Sequence, residues 1–317
     1  MTKYIVKRLL IALMLVLLVS IFVFFMMQLL PGDPARIALG DSADEATIQE
    51  YREEFGLNDP VVTQYWNWIT GIITRWDFGK SVLNKENVSA LISARLPNTL
   101  SIGLPSIIIG VIIGLLIGII TAIKRGTWID QSFTFFVNFF LGTPRFLIAI
   151  FGVLILALKL GLIPLQGYTA PWENFGGYVH KAMWPVLVNS IYIVAVIARQ
   201  TRSNMLEVIN QDYVRTARAN GLSENRVIFR HTLKNALIPV VTIIGLQMRN
   251  IVSGSVIIEN IFNIPGIGQL LMRGITERDY FIVQACVLII SMVTVGCNLV
   301  VDITYGFIDP RIRKLSR

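Results

Sequence analysis

Few side chains in this 317-residue sequence have the types and spacing that catalytic or metal chemistry needs. The two histidines, His180 and His231, have no cysteine or carboxylate cluster around them, which argues against a metal centre. Gly79-Lys80-Ser81 matches the end of a phosphate-binding loop, but that pattern requires a glycine five positions before Gly79, where Thr74 stands. No Ser/His/Asp set can be placed either. We therefore predict no catalytic residues, no metal ligands and no nucleotide hydrolysis by this chain.

Two arginines inside apolar runs are candidates for a functional role. Arg145 and Arg249 each lie about 14 residues, or ~21 Å of helix, from the start of their run. A charge at that depth costs at least ~2.5–3.5 kcal/mol, so both side chains should face a bundle interior or a water-lined cavity. They would then be able to attract carboxylate or carbonyl oxygens of a molecule in that interior or cavity. Pairing with a partner subunit, or shifted span boundaries, are the alternatives.

The polar segment DYVRTARANGL, from Asp212 to Leu222, has the most distinctive pattern in the chain. Small and polar residues dominate its first half, and Gly221 then provides a helix stop or a sharp turn. Ser223 with Glu224 begins a second helix that leads into the next apolar run. A short helix, a glycine bend and a second helix outside a bilayer predict a protruding knob. A solvated basic loop is the alternative.

The predicted knob carries small residues beside basic ones. Ala217 and Ala219 are flanked by Arg215 and Arg218. Because a methyl side chain leaves the backbone open to close approach, this surface would suit a partner with acidic or polar rims.

The composition indicates that a membrane positions these residues. Hydrophobic residues make up 54% of the chain and charged residues 15%, against roughly 25% charged in ordinary globular domains. The mean hydropathy of +0.63 points the same way. A soluble fold cannot cover that much apolar surface with so few charges, which disfavours a cytosolic enzyme. The net charge of +8 does not require a nucleic acid partner, because the basic residues lie between apolar runs, as the positive-inside rule predicts.

Six apolar runs divide the chain into predicted membrane spans. The tail and first span cover 1–30, an extracytoplasmic segment covers 31–95, and a transmembrane domain covers 96–317 with a cytoplasmic loop at 203–234. The first run has 22 residues without a charge, which exceeds the ~7–15 residues of a signal-peptide core, so we predict a retained span. The later predicted spans are 96–123, 131–158, 184–202, 235–258 and 281–303.

The distribution of charge sets the predicted topology. With six spans, both termini and the segments 124–130 and 199–235 share one side, which holds sixteen basic residues. The opposite segment 31–98 has a net charge of −4. Deleting the weak fourth span would place seven basic residues outside, against the positive-inside rule. We therefore predict an all-α polytopic membrane protein with six transmembrane helices and both termini cytoplasmic.

The extracytoplasmic segment after the first span is predicted to be helical. Ser42–Glu45 fits a capping box, and Ile48, Tyr51 and Phe55 fall on one face of the helix that follows. The stretch 61–76 is dense in aromatic residues, which suits a helix lying at the level of the lipid headgroups. A small packed subdomain on the outer surface is a second, compatible interpretation.

The segment YVRTARANGL, which starts at Tyr213, resembles the "EAA" coupling loop of permease subunits of binding-protein-dependent ABC importers. It is similar in particular to the form Tyr-Val-Arg-Thr-Ala-Arg-Ala-x-Gly-Leu of the dipeptide/oligopeptide/nickel branch. Other tags of that branch follow in order over nearly the whole chain. They are Leu30-Pro31-Gly32-Asp33-Pro34, Phe55-Gly56-Leu57, Gln64-Tyr65, Arg95-Leu96-Pro97-Asn98-Thr99-Leu100, Phe262-Asn263-Ile264-Pro265-Gly266-Ile267-Gly268, Arg278-Asp279-Tyr280 and Asp309-Pro310-Arg311-Ile312-Arg313.

The resemblance implies the type I ABC importer permease architecture and, from the long external segment, a B-type subunit of the inner membrane. Such a chain is non-enzymatic and belongs to a bacterial or archaeal cytoplasmic membrane. It would pair with a C-type permease subunit, dock on two cytoplasmic ATPase subunits and receive cargo from an extracytoplasmic substrate-binding protein. ATP and Mg would be bound by the ATPase subunits, and this chain would bind no cofactor.

In this interpretation the knob is a coupling helix seated in a groove on one ATPase. Closure of the ATPase dimer would move the docked helix, and rigid spans would transmit that movement as inward-to-outward switching. Arg215 occupies the position of the general loop's glutamate, so a salt bridge of that glutamate is not carried over. The ATPase-coupling residues implied are Asp212, Tyr213, Arg215, Thr216, Ala217, Arg218, Ala219 and Gly221. In such a permease Arg145 and Arg249 would line the translocation path and attract the carboxylate or carbonyl oxygens of the cargo.

Glu259, Arg278 and Asp279 cluster near the outer ends of the last two spans. They are candidates for an outer gate or for contact with the binding protein, and exposed loop charges are the alternative.

The cargo stays open among peptides, nickel or other metal chelates, and glutathione. The lack of histidines inside the apolar runs favours peptides. A stand-alone secondary carrier would need ion-coupling carboxylates within its spans, and no acidic residue falls well inside any run.

Overall fold

The computed structural model describes residues 2–29, 32–40, 43–248, 251 and 255–308. Within these residues the chain is helical apart from its connections and one isolated bridge between Lys80 and Asn87. The helices, numbered in chain order, are α1 Thr2–Gln28, α2 Pro34–Leu39, α3 Glu45–Glu54, α4 Val61–Arg75, α5 Val88–Ile123, α6 Trp128–Gly142, α7 Arg145–Lys159, α8 Phe175–Ile209, α9 Asp212–Ala219, α10 Glu224–Met248, α11 Val256–Phe262, α12 Ile267–Glu277 and α13 Tyr280–Ile308. Two of them contain π-helical turns, Val153–Lys159 in α7 and Val227–Thr232 in α10.

The number of spans agrees with the prediction of six. In the described part of the chain, α1, α5, α8, α10 and α13 are long and apolar enough to cross a membrane. Helices α6 and α7 meet the same test only as a pair, and they count as a sixth span when the bent pair is taken as one.

The predicted third span, 131–158, is wrong as a single continuous helix. Helix α6 ends at Gly142, α7 begins at Arg145, and the two meet at an angle of 103°. Pro144 explains the break, because the residue before a proline is held in an extended conformation. Thr143 accordingly has φ −92° and ψ 124°. The hydropathy summed over residues 131–158 is the same for a straight and a bent helix, so it could not indicate the bend.

The other span boundaries also differ from those predicted. Helix α8 has 35 residues, about 50 Å of helix, and so extends well beyond the predicted 184–202. Helix α5 starts at residue 88, not 96, and continues through two internal prolines. Within the predicted fifth span, 235–258, the structure describes helix up to residue 248, at residue 251 and again from residue 256. Residues 249–250 and 252–254 lie outside the described part of the chain.

Asparagine caps start the two longest helices. Oδ1 of Asn87 accepts hydrogen bonds from the backbone N–H groups of Ser89 and Ala90 at the start of α5. Oδ1 of Asn174 accepts one from Gly177, at 2.9 Å, at the start of α8. The first N–H groups of a helix have no partner within the helix, so these side chains fix where each helix begins.

Helices α5 and α8 pack backbone to backbone along a stripe of glycines. Gly110, Gly114 and Gly118 recur every four residues on one side of α5. A Cβ at Gly114 would lie 2.9 Å from Cβ of Ile197, and one at Gly118 would lie 2.5 Å from Cβ of Thr201. Small residues at this spacing let two membrane helices approach closely. The stripe therefore fixes α8 against α5.

The segment after α1 forms a small apolar core of its own. Ile48 and Tyr51 of α3 are buried with Val82, which confirms that they share one helix face. The predicted capping box is wrong, because Asp44, not Ser42, is the N-cap residue of α3. Ser42 itself lies outside the described residues.

Helix α4 packs one face against the transmembrane helices. Trp68, Ile69 and Ile72 are buried in a cluster with residues of α1, α5, α12 and α13. Trp66 and Ile73 are exposed on the opposite side. The packed subdomain is thus present, and its exposed apolar face is the feature that a position at the headgroup level requires.

Replacing Gly118 with alanine should destabilise the protein by roughly 1–3 kcal/mol, because the added methyl group overlaps Thr201 and the backbone of Ala198. The measurement is the melting temperature of the purified chain in detergent. Gly296→Ala is the matched control, since a Cβ there meets no atom within 4 Å, and alanine should stabilise that helix by up to ~1 kcal/mol. Equal melting temperatures for the two variants would contradict the close approach of α5 and α8.

Candidate functional site

The short helix and the glycine bend predicted within 212–221 are present. Helix α9 spans Asp212–Ala219 and follows directly after α8, and the chain then turns at Gly221 before α10 begins. Gly221 has φ +77°, in the left-handed region that residues with a Cβ rarely adopt. The predicted order of short helix, glycine bend and second helix is therefore confirmed.

A small apolar core holds α9 against the ends of α8 and α10. Val214 and Ala217 are buried and pack with Val227 of α10. A hydrogen bond of 2.8 Å from Nδ2 of Asn235 to the hydroxyl of Tyr213 adds a polar link between α9 and α10. Since α9 has two attachments, it should move with both neighbouring helices and not as a free loop.

Ala217 is therefore misplaced among the predicted contact residues. Val214 and Ala217 are one helical turn apart, so both side chains point into the apolar core. The sequence pattern showed two small residues, Ala217 and Ala219, but not which of them faces outward. Only Ala219 is exposed.

The outward face of α9 is polar and carries both signs of charge. The side chain of Asp212 is 99% exposed and that of Arg215 70% exposed, with 3.6 Å between Oδ1 of Asp212 and Nη1 of Arg215. Nε of Arg218 lies 2.8 Å from Oε1 of Glu224 at the start of α10. The other predicted contact residues with exposed side chains are Tyr213, Thr216 and Ala219.

An ion pair near the knob, which we did not predict from the sequence, ties α8 to α6. Nε and Nη2 of Arg202 donate to Oδ1 and Oδ2 of Asp130 at 2.7 and 2.9 Å. The backbone N–H of Gly126 and the hydroxyl of Thr134 also donate to this buried carboxylate. Bidentate geometry makes such a pair stronger and more directional than a single contact. The available sequence signal was that both residues fall at the cytoplasmic ends of their predicted spans.

Arg145 lies at the elbow between α6 and α7. Its guanidinium carbon is 4.4 Å from the centroid of the Tyr192 ring, a cation–π contact with α8. The side chain thus faces a neighbouring helix, as its predicted depth requires. Arg249, the second predicted path residue, lies outside the described residues.

Glu259 is buried and is not an exposed loop charge. Its Oε1 accepts hydrogen bonds from the hydroxyls of Thr99 and Ser255, both at 2.8 Å. Its Oε2 accepts bonds from the backbone N–H groups of Gly268 and Gln269, at 2.7 and 3.1 Å. These N–H groups belong to the first turn of α12, where a carboxylate is stabilised by the helix dipole. The carboxylate therefore joins α5, α11 and α12 from within.

Asp279 is also buried, and of the three predicted outer charges only Arg278 is exposed. Oδ1 of Asp279 accepts a hydrogen bond from the N–H of Ile282 at the start of α13, and Oδ2 accepts one from the hydroxyl of Ser81. Direct contact of Glu259 or Asp279 with a protein docking from outside is excluded in this conformation. Arg278 keeps the surface position that such a contact requires.

Two family models match this chain, one over its N-terminal third and one over the rest. The model of the binding-protein-dependent transport system inner membrane component matches residues 114–314. The model of the N-terminal part of such membrane components matches residues 1–103.

Curated relatives match this chain over nearly its whole length. The chain is 39% identical over 315 residues to the oligopeptide transport system permease protein AppB of Bacillus subtilis, covering 98% of this chain and 99% of that protein. It is 37% identical over 313 residues to a putative peptide transport system permease protein of Brucella abortus, covering 99% of each. It is 38% identical over 314 residues to the glutathione transport system permease protein GsiC of Shigella flexneri, again covering 99% of each.

Two solved structures share the fold. An amino acid ABC transporter crystallised with histidines aligns with a TM-score of 0.50 at 17% identity, covering 70% of this chain and 94% of that one. The inward-facing MetNI methionine ABC transporter aligns with a TM-score of 0.50 at 18% identity, covering 67% and 95%. The predicted all-α polytopic fold is thereby confirmed.

Asp130→Asn should destabilise the protein by roughly 1.5–3 kcal/mol, because Arg202 loses a charged, bidentate partner. Asp212→Asn is the matched control, since the Asp212 side chain is almost fully exposed, and should stay within about 0.5 kcal/mol of the unmodified chain. Melting temperatures of the two purified variants provide the comparison. If Asp130→Asn melts together with Asp212→Asn, the ion pair does not hold α6 to α8.

Proposed function

The chain belongs to the family of binding-protein-dependent transport system inner membrane components, and we propose that it imports peptides and is driven through α9. It is a multi-pass permease subunit of an ABC transporter. Family membership implies ATPase and substrate-binding-protein partners. The proposed assembly contains this B-type chain, a C-type permease subunit, two cytoplasmic ATPase subunits that bind ATP and Mg, and one extracytoplasmic binding protein. Both termini are cytoplasmic, in a bacterial or archaeal inner membrane.

The observation that carries the coupling proposal is the exposed polar face of α9 on a firmly attached helix. Asp212, Arg215 and Arg218 present both signs of charge to a partner, while Val214 and Ala217 fix the helix from below. A docked ATPase that moves α9 therefore moves the ends of α8 and α10. A mobile loop with the same charges would absorb that movement.

The movement has a physical route from α9 towards the membrane. Helix α9 starts three residues after α8 ends, and the Arg202–Asp130 ion pair joins α8 to the start of α6. The glycine stripe packs α8 on α5. Displacement of α8 thus acts on two neighbours, one of which leads to the bend at Pro144.

Peptides are the proposed cargo, supported by relatives named as oligopeptide and peptide permeases at 37–39% identity. Glutathione, itself a small peptide, is the second candidate because a glutathione permease matches at 38%. The binding protein performs most of the selection, so its ligand affinities distinguish these cargoes.

Gly221→Val should abolish uptake and uncouple ATP hydrolysis from the binding protein in the assembled transporter. A β-branched residue cannot hold φ +77° without strain, so α9 would be displaced from its core. A Cβ at this position meets no atom within 4 Å, so the effect comes from the backbone and not from a clash.

Gly221→Asn is the matched control, because asparagine tolerates the left-handed region. It should retain most uptake and normal coupling. The assay measures peptide uptake and ATP hydrolysis in the same proteoliposomes. Normal uptake and coupling by Gly221→Val would show that α9 is not the coupling element.

Arg145→Leu and Arg249→Leu test the proposal that these arginines line the path. Each loses an attractive charge for a carboxylate or carbonyl group, so initial uptake should fall at least several-fold with normal ATPase assembly. Arg125→Leu, an exposed arginine in a connecting loop, is the control and should transport normally. Unchanged uptake by both test variants would show that neither arginine lines the path.

A further inference from the structure

A cavity of about 320 Å³ lies where the segment after α1 meets the ends of α1 and α13. Phe24 and Gln28 of α1, Trp68 of α4, and Phe281 and Gln284 of α13 contribute to its wall. The proposed topology places it on the extracytoplasmic side, near the membrane surface. Its volume is at the lower end of the range for small-molecule sites, roughly 300–1,000 Å³.

Two buried polar side chains in the wall have unused hydrogen-bonding capacity. Trp68 is 7% exposed, and its indole nitrogen has no hydrogen-bond partner among the described residues. Gln284 is 4% exposed, and its amide makes no hydrogen bond with any described residue. The indole nitrogen of Trp68 is enclosed by protein atoms and is not open to the cavity. Buried polar groups are nearly always paired, so the unpaired amide of Gln284 calls for a ligand.

The cavity wall also carries both signs of charge. Arg75 makes no ion pair within the described part of the chain, and it lines the cavity together with Asp59 and Asp77. Asp33 and Arg52 form a pair at 2.6 Å in the same wall. That hydrogen bond, together with the charge of Asp33, raises the pKa of the Arg52 guanidinium further above its usual value.

From these groups we propose that the cavity binds a small zwitterion, with an ammonium group and an anionic group on one short molecule. The ammonium group would bind the carboxylates of Asp59 and Asp77. The anionic group would bind the guanidinium of Arg75 and accept a hydrogen bond from the amide of Gln284. The amide of Gln284 can both donate and accept. An apolar portion of the ligand would pack against the aromatic rings of Phe24 and Phe281.

The same chemistry has two sources at this position. A free amino acid or short peptide carries an ammonium and a carboxylate, and a phosphatidylethanolamine headgroup carries an ammonium and a phosphate. The proposal does not rest on coupling through α9, because a chain with a different coupling element would still have this cavity.

The test is equilibrium binding of radiolabelled dialanine to the full-length chain, purified with its co-expressed partner subunits in phosphatidylglycerol nanodiscs. The variants are Arg75→Leu, which removes the guanidinium, and Gln284→Leu, which keeps the size but removes the amide. Arg125→Leu and Gln131→Leu are matched controls, because both residues are exposed and lie outside the cavity. Melting temperatures verify that every variant is folded.

If a free zwitterion is the ligand, dialanine binds saturably, and each cavity variant raises the dissociation constant by about fivefold or more. The controls leave it unchanged. If the headgroup is the ligand, phosphatidylethanolamine from mixed nanodiscs stays with the detergent-extracted protein. Mass spectrometry then shows its loss from Arg75→Leu and Gln284→Leu but not from the controls. The proposal is overturned if neither ligand binds, or if both bind equally to cavity variants and controls.

Discussion

Close contact between α5 and α8 is the constraint on which the other features depend. Glycines at every fourth position bring the two backbones together, so α8 has a fixed position in the transmembrane bundle. Helix α8 in turn carries α9 at its end, holds α6 through Arg202 and contacts Arg145 through the Tyr192 ring. If an ATPase displaces α9 as proposed, the displacement therefore acts on two closely packed helices. Without that packing, the exposed charges of α9 would be attached to a mobile element.

The buried carboxylates show how an apolar chain accommodates charge. Glu259, Asp279 and Asp130 each accept hydrogen bonds from backbone N–H groups and hydroxyls, which replace water around the charge. Burying a carboxylate costs several kcal/mol unless such donors are supplied. Two of the three bind the first turns of α12 and α13, where the helix dipole adds to their stabilisation. These residues organise the helix ends and leave Arg278 as the exposed charge of the predicted outer cluster.

Patterns that are local in sequence predicted much of this structure. Contacts between residues far apart in the sequence were not predicted. Span number, the glycine turn at Gly221 and the short helix before it follow from hydropathy, charge and turn chemistry within a few residues. One of the groups that bind the Glu259 carboxylate is the hydroxyl of Thr99, 160 positions earlier, so the sequence around Glu259 gives only part of its surroundings. The inward direction of Ala217 depends on Val227 across a turn. The bend at Pro144 and the glycine stripe of α5 were not predicted, although proline and small-residue spacing are local signals.

Transport measured with and without the ATPase subunits tests most directly whether this chain is a passive gate. Proteoliposomes would contain the chain with its permease partner, binding protein outside and ATP inside, and peptide accumulation would be followed over time. The account predicts accumulation only when the ATPase subunits are present and ATP is hydrolysed. Accumulation of peptide against a gradient without those subunits would contradict it.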